Sequence, residues 1–352
     1  MFPVETVLYY LDEILFSGYK KVVIKEPFLI LGQPRSGTTK FESILEGDED
    51  FVCMKMWECR FPYLSYQYAV DLVCHVDGRY LNGSIEKFVR DYRLLDGFDE
   101  GVNAERPQMR RVRYDLSDED DTIFLFHFLV HFQLMGAFPD PEVTSYLHHF
   151  DNLSALERRR MLHFHRRAVQ KLMYRRGKGK RYFAKWVLSW CGVVQQAFDV
   201  YPDMKMLVMT RGADEQLRSW FKLQSLLCID LTGHNMFEDN PEVLKELKVI
   251  NAEFYRNEVN FLSGLDQSRR LIFNSADFYK DIQNNTRNVY RFLGKEIAPG
   301  SKFEKFLMEQ TQQQLNHKAT TTDDRYITDE EIKRDFIDLP AVLAKLDQKK
   351  TE

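Results

Sequence analysis

Residues 22–39 read VVIKEPFLILGQPRSGTT. Val22–Leu31 is a short apolar run that stops at Gly32, the pattern of a buried parallel strand feeding a tight loop. The periodicity changes at Thr38, and a helix is expected from there to about Glu46. A glycine-containing loop between a strand and a helix N-terminus gathers amides around an anion, because the first amides of a helix have no intrahelical acceptor. The spacing from Gly32 to Gly37 fits the phosphate-loop frame G-x-x-x-x-G-K-[ST], but Thr38 fills the lysine slot and the cation, Arg35, comes three positions earlier. The loop therefore keeps an anion cradle and lacks the group that grips the terminal oxygens of a nucleoside triphosphate. An ordinary ATPase or kinase is disfavoured; a P-loop kinase of unusual sequence stays open as a rival.

Outward from this stretch, further strands are expected at Phe51–Met54, Arg181–Ala184, Lys205–Thr210 and Arg270–Asn274. Helical patterns fill the gaps at Leu156–Tyr174, Asp214–Leu227, Glu242–Leu262 and Asn284–Leu293. Strands alternating with helices imply an α/β fold, a P-loop-like three-layer parallel sheet flanked by helices. We read residues 1–352 as one domain. Residues 62–179, helical in period and rich in aromatics, form an insertion capping the carboxyl edge of the sheet. The basic piece Arg175–Arg181 reads as a linker or a solvated turn.

Composition narrows the partners. With 49 basic and 53 acidic residues the formal charge is −4, so nothing in the total asks for nucleic acid or an anionic membrane. The five cysteines are scattered, with no C-x-x-C pair, which fits a reducing compartment and excludes ribbon or finger zinc spacing. Met1–Phe16 is interrupted by Glu5, Asp12 and Glu13 and reads as an amphipathic helix. No stretch approaches the roughly 20 apolar residues of a membrane span. The expected location is cytoplasmic, and the sequons at Asn82, Asn152 and Asn284 carry little weight.

The string Pro34-Arg35-Ser36-Gly37-Thr38-Thr39 resembles the P-[KR]-S-G-T-[TS] loop of the sulfotransferase superfamily. That resemblance implies that Arg35, Ser36, Gly37, Thr38 and Thr39 hold the 5'-phosphate and sulfuryl group of 3'-phosphoadenosine 5'-phosphosulfate (PAPS), with its desulfated form, PAP, as product. In the same superfamily a strand-end arginine, and a serine eight positions later, bind the 3'-phosphate. Here the strand at 205–210 runs into Arg211, and Ser219 follows at that spacing. Tyr201-Pro202-Asp203 is similar to the family's entry to this strand, while T-R-G-A stands where H-R-D-P is usual.

Sulfuryl transfer needs a base for the acceptor proton and cations for the leaving oxygens. Cytosolic sulfotransferases carry K-x-H after an inner strand; here Lys185-Trp186-Val187 offers the lysine without the histidine, so Lys185 and Arg35 are the expected cations. Trp57-Glu58-Cys59-Arg60-Phe61-Pro62 resembles the W-E-x-x-x-P of a Glu-containing sulfotransferase family, and implies Glu58 as general base, with Arg60 to orient it or to contact the donor. A salt-bridged pair is the bland alternative for Glu58. The segments Ser117–His127, Phe138–Pro141, His165–Tyr174 and Tyr290–Gly294 are similar to that same family, so the resemblance runs from about Phe28 to Gly294.

His127 and His131 share a helix face without the metalloprotease glutamate and read as core or pocket histidines. Phe61, Tyr63, Tyr66, Tyr68, Phe124, Phe126, Phe128 and Phe132 read as core with a pocket edge. His317 and Lys318 are candidates to close over the nucleotide. The resulting expectation is transfer from PAPS to a hydroxyl or amine of a small apolar acceptor, with no metal. A PAP-binding protein without turnover is the second rival.

Overall fold

The computed structural model describes residues 3–92, 115–117, 119–128, 153–187, 192–315 and 325–348. Five strands, β1 (Phe28–Gly32), β2 (Phe51–Val52), β3 (Arg181–Trp186), β4 (Lys205–Thr210) and β5 (Arg270–Asn274), form one parallel sheet in the order β2-β3-β1-β4-β5. Ile30 lies opposite Lys185 on one side and Leu207 on the other. Chain order reverses at β1, and the crevice at such a point is where parallel α/β sheets bind ligands.

Burial follows the two-residue period of the strands. Leu29, Leu31, Tyr182, Ala184, Trp186, Met206 and Val208 share one core. Phe28, Ile30, Phe183, Leu207 and Met209 share the other. The second core is closed by α2 (Thr38–Glu46) and by the helices Ile282–Phe292 and Lys302–Leu315. The first is closed by the longer helices Ala155–Arg176, Gly192–Val200, Ala213–Thr232 and Pro241–Gly264. We number the helices used below in chain order: α1 (Pro3–Leu15), α2, α3 (Met56–Arg60), α4 (Leu64–Tyr80), α5 (Thr122–Phe128), α6 (Ala155–Arg176), α7 (Gly192–Val200), α8 (Ala213–Thr232) and α9 (Pro241–Gly264).

The expected strands at 205–210 and 270–274 and the helix at 38–46 carry their expected bounds. The first strand does not begin at Val22. Pro27 offers no N–H to a ladder and Glu26 has a φ of 41°, so pairing starts only at Phe28. In the basic piece at 175–181, Arg175 and Arg176 are the last residues of α6 and Arg181 opens β3, so the expected solvated turn is confined to the exposed Lys178, Gly179 and Lys180 between them. Among the described residues of 62–179 the structure is helical apart from a single bridge between Ser117 and Lys55. Helix α1 packs on α4 through buried Asp12, which accepts from the amides of Leu64 and Ser65 at 2.7 Å each and pairs with Lys171 at 2.8 Å. It caps α4 in the way an N-terminal carboxylate stabilises a helix start.

Candidate functional site: an anion loop at the sheet's switch point

The loop after β1 is held in shape from three directions. Gly32 passes so close to β4 that a Cβ there would sit 2.5 Å from the Met209 carbonyl oxygen and 2.4 Å from Ser36 Oγ. Gly37, the N-cap of α2, has a φ of 88°, in the region that glycine enters without strain. Its carbonyl accepts from the Tyr279 hydroxyl. Gln216 of α8 donates to the Pro34 carbonyl and accepts from the Tyr255 hydroxyl at 2.6 Å. Gly37 supplies no side-chain cap, so the first amides of α2 face whatever enters the loop. Ser36 Oγ is buried with no hydrogen-bond partner among the described residues, as a group set aside for a ligand would be.

The structure brings the two predicted halves of the site together. Arg35 Nε donates to Ser219 Oγ at 2.9 Å, and Arg211 Nη1 donates to the Arg35 carbonyl at 3.2 Å. Arg211 also pairs with Glu215 at 2.9 Å. Arg35 itself has a φ of 71°, a conformation that costs a non-glycine residue energy and recurs at functional loops. Its guanidinium, Arg211 and Ser219 thus meet at one edge of the loop, from segments that are remote in sequence.

Lys185 comes from β3. The two-residue period puts it on the same face as Phe183, toward α2, and its side chain is buried. Its Nζ lies 3.2 Å from Thr39 Oγ1, 2.9 Å from Glu42 Oε2 and 3.1 Å from Glu119 Oε1. Glu42 is 1% exposed, whereas the Glu119 side chain keeps 21% of its surface open. The segment bearing Glu119 is anchored to the end of β3: Asp120 N donates to the Lys185 carbonyl, and the Asp120 carboxylate accepts from Tyr182 and Trp186. His165 completes this buried cluster, 3.4 Å from Asp120 and 2.9 Å from the Tyr201 hydroxyl.

Glu58 stands elsewhere, on α3. Its Oε1 accepts from Arg175 at 2.6 Å and Arg176 at 3.1 Å; its Oε2 accepts from Arg176 at 2.6 Å and the Lys55 amide at 2.8 Å. Burial pushes this carboxyl up, but the Arg176 hydrogen bond and charge, the Lys55 amide and Arg175 outweigh it and hold it below the ordinary value of 4.5. A 1% exposed carboxylate with four donors is an ion-pair anchor, so in this geometry the base role expected of Glu58 has no open oxygen. Arg60 turns away to Glu5 at 2.7 Å. His127 Nε2 contacts the Cys59 carbonyl at 3.0 Å, and burial lowers its pKa. Tyr63 and Phe124 are fully in the core. His131, Phe132, Phe138–Pro141, His317 and Lys318 lie outside the described residues.

Sequence reading missed Glu42 and Glu119 as partners of Lys185. Glu42 was legible in hindsight: three positions after Thr39, it shares the helix face that looks at β3. For Glu119 only the contact with β3 reveals the role.

No family model matches the chain, and no curated protein matches its sequence. Solved structures do. The sulfotransferase STF1 from Mycobacterium tuberculosis H37Rv superposes with a TM-score of 0.65 at 14% identity, covering 95% of this chain and 82% of that one. The sulfotransferase STF9 from Mycobacterium avium superposes with a TM-score of 0.65 at 15% identity, covering 97% and 81%. At these identities the likeness concerns the fold: the chain has the α/β architecture, with its P-loop-like centre, of these two sulfotransferases.

Proposed function

We propose that this protein is a sulfotransferase that moves the sulfuryl group of PAPS to the hydroxyl or amine of a small, largely apolar acceptor. The observation that carries the reading is the meeting of Arg35, Arg211 and Ser219 beside an anion loop that has no Walker lysine. A nucleotide with phosphate at both ends needs cations at two places, and charge-assisted bonds from guanidinium groups supply them. Ser36 and the first amides of α2 take the 5' end together with Thr38 and Thr39. Arg211 and Ser219 take the 3'-phosphate. Lys185 is poised behind Thr39 to meet the sulfuryl oxygens as charge passes to the leaving phosphate.

The proton-accepting role falls to Glu119 and not to Glu58. Glu119 pairs with Lys185 at the end of β3 and is partly open to solvent, whereas Glu58 is saturated by arginines. In the transfer the acceptor oxygen forms the new S–O bond, its proton goes to Glu119, and the bridging S–O bond breaks to leave PAP. The reading is tested by calorimetric titration with PAP and 5'-AMP, followed by incubation with labelled PAPS and fractionated cell extract. We expect PAP to bind at least about tenfold tighter and label to appear on small molecules. Equal affinity for PAP and AMP sinks the assignment; tight PAP binding without labelled product would make this a PAP-binding protein.

A further inference from the structure

Beneath the anion loop lies a carboxyl that the reaction does not use. Glu258, on α9, is 0% exposed, and its Oε2 accepts from Gln33 Nε2 at 2.7 Å. Gln33 belongs to the loop itself, between Gly32 and Pro34, and is 2% exposed. Glu258 Oε1 and Gln33 Oε1 are both buried with no hydrogen-bond partner among the described residues. Two orphaned acceptors on one bonded acid and amide have one remedy within the pair itself, a proton on the acid. A protonated carboxyl donates to the amide oxygen while accepting from the amide nitrogen, and the two groups close a ring. Turning the Gln33 amide over does not remove the need, since its oxygen would then face a carboxylate.

We propose that Glu258 is a positioning residue of the anion loop: it carries a proton at neutral pH, closes an acid–amide pair with Gln33, and on ionising at alkaline pH sets a negative charge behind the loop that weakens nucleotide binding. The surroundings agree. Among the described residues no cation shifts Glu258, and burial, opposed by the Gln33 bond, pushes its carboxyl up to about 8. On its own helix Tyr255 stands one turn before it, and its hydroxyl is spent on Gln216. Burial first, and then the charges of Glu258, Asp214 and Asp338, push Tyr255 far up, so it stays neutral too. From the loop, Arg35 donates to Ser219. A lone unit charge roughly 10 Å from an anion, in an effective dielectric near 20, changes affinity by on the order of tenfold.

The linkage has a definite sign. A carboxyl whose folded pKa lies above its unfolded value contributes stability below the unfolded value and loses it as pH rises through about 8. The nucleotide part of the inference rests on the sulfotransferase reading; the protonation does not, and two measurements keep them apart. Infrared difference spectra of wild type and Glu258→Gln should show a carboxylic-acid carbonyl band in the wild type at pH 6.5 that bleaches as pH passes about 8. No such band overturns the proposal, whatever the nucleotide does. Titration with PAP from pH 7 to 9.5 should weaken binding by about tenfold in the wild type and leave Glu258→Gln, or Glu258→Met if the amide misfolds, nearly flat. A wild type that binds no PAP at pH 7, but shows the band, sinks the functional reading and leaves the acid–amide pair standing. Parallel pH curves in wild type and variant overturn the coupling.

Discussion

Arg211 is tied down by Glu215 on one side and by the Arg35 carbonyl on the other, with 29% of its side chain open. A guanidinium fixed in this way costs little further entropy when a dianion arrives, and its fork matches phosphate oxygens. Arg211→Ala should weaken PAP by about 2 to 4 kcal/mol, the range for truncating one partner of a desolvated charge pair. It should barely change 5'-AMP, which has no 3'-phosphate. Calorimetry on wild type and variant with both ligands gives the comparison, and equal losses would reduce Arg211 to a support for the loop.

At the scale of elements, Glu58 ties α3 to the end of α6, while Glu119 is presented by a segment stitched to β3. The two carboxylates should therefore fail differently. Glu58→Gln removes the charge and one of the two oxygens that Glu58 offers Arg175 and Arg176, and breaking a buried pair costs about 3 to 5 kcal/mol. Its stabilisation is present above the unfolded pKa and disappears as pH falls through the lowered folded value. Glu119→Gln should keep the melting temperature and lose roughly a hundredfold in kcat, the range for a missing general base. Denaturation curves and single-turnover rates on the two variants check this, and a stable but inactive Glu58→Gln would return the base role to Glu58. The same contrast explains what could be read from sequence. The change from strand to helix around Gly32–Thr38 is local, and so is the step from Arg211 to Ser219, which is why both segments could be singled out from sequence. The pairing of Glu58 with Arg175 and Arg176 joins residues more than a hundred positions apart. No window around W-E-C-R-F-P contains it, so the local pattern suggested chemistry where the fold placed an anchor. Glu258 was hidden for the same reason: on its own helix it is one charged residue among many, and only α9 docking beneath Gln33 makes it unusual.

For the molecule as a whole, the site lies where β1, β3 and β4 leave the sheet, so a ligand there touches the elements of both cores at once. The loop is pinned by Gln216 from one layer and by Tyr279 from the other. Binding at such a seam stabilises the folded state by mass action, about 2.7 kcal/mol at a ligand concentration a hundred times Kd. The gain should come from PAP without help from a divalent ion, because Arg35, Arg211, Lys185 and the helix amides already supply positive charge. Among the described residues no group of three or more acidic, histidine or cysteine side chains could hold a metal. The kinase alternative makes the opposite demand, since without the Walker lysine a triphosphate would depend all the more on magnesium for its terminal oxygens. Thermal denaturation with saturating PAP in EDTA should therefore show a clear rise in Tm that added magnesium does not enlarge. ATP should give little in EDTA, and little more with magnesium. A Tm that climbs with magnesium and ATP but not with PAP would reassign the loop to phosphoryl transfer.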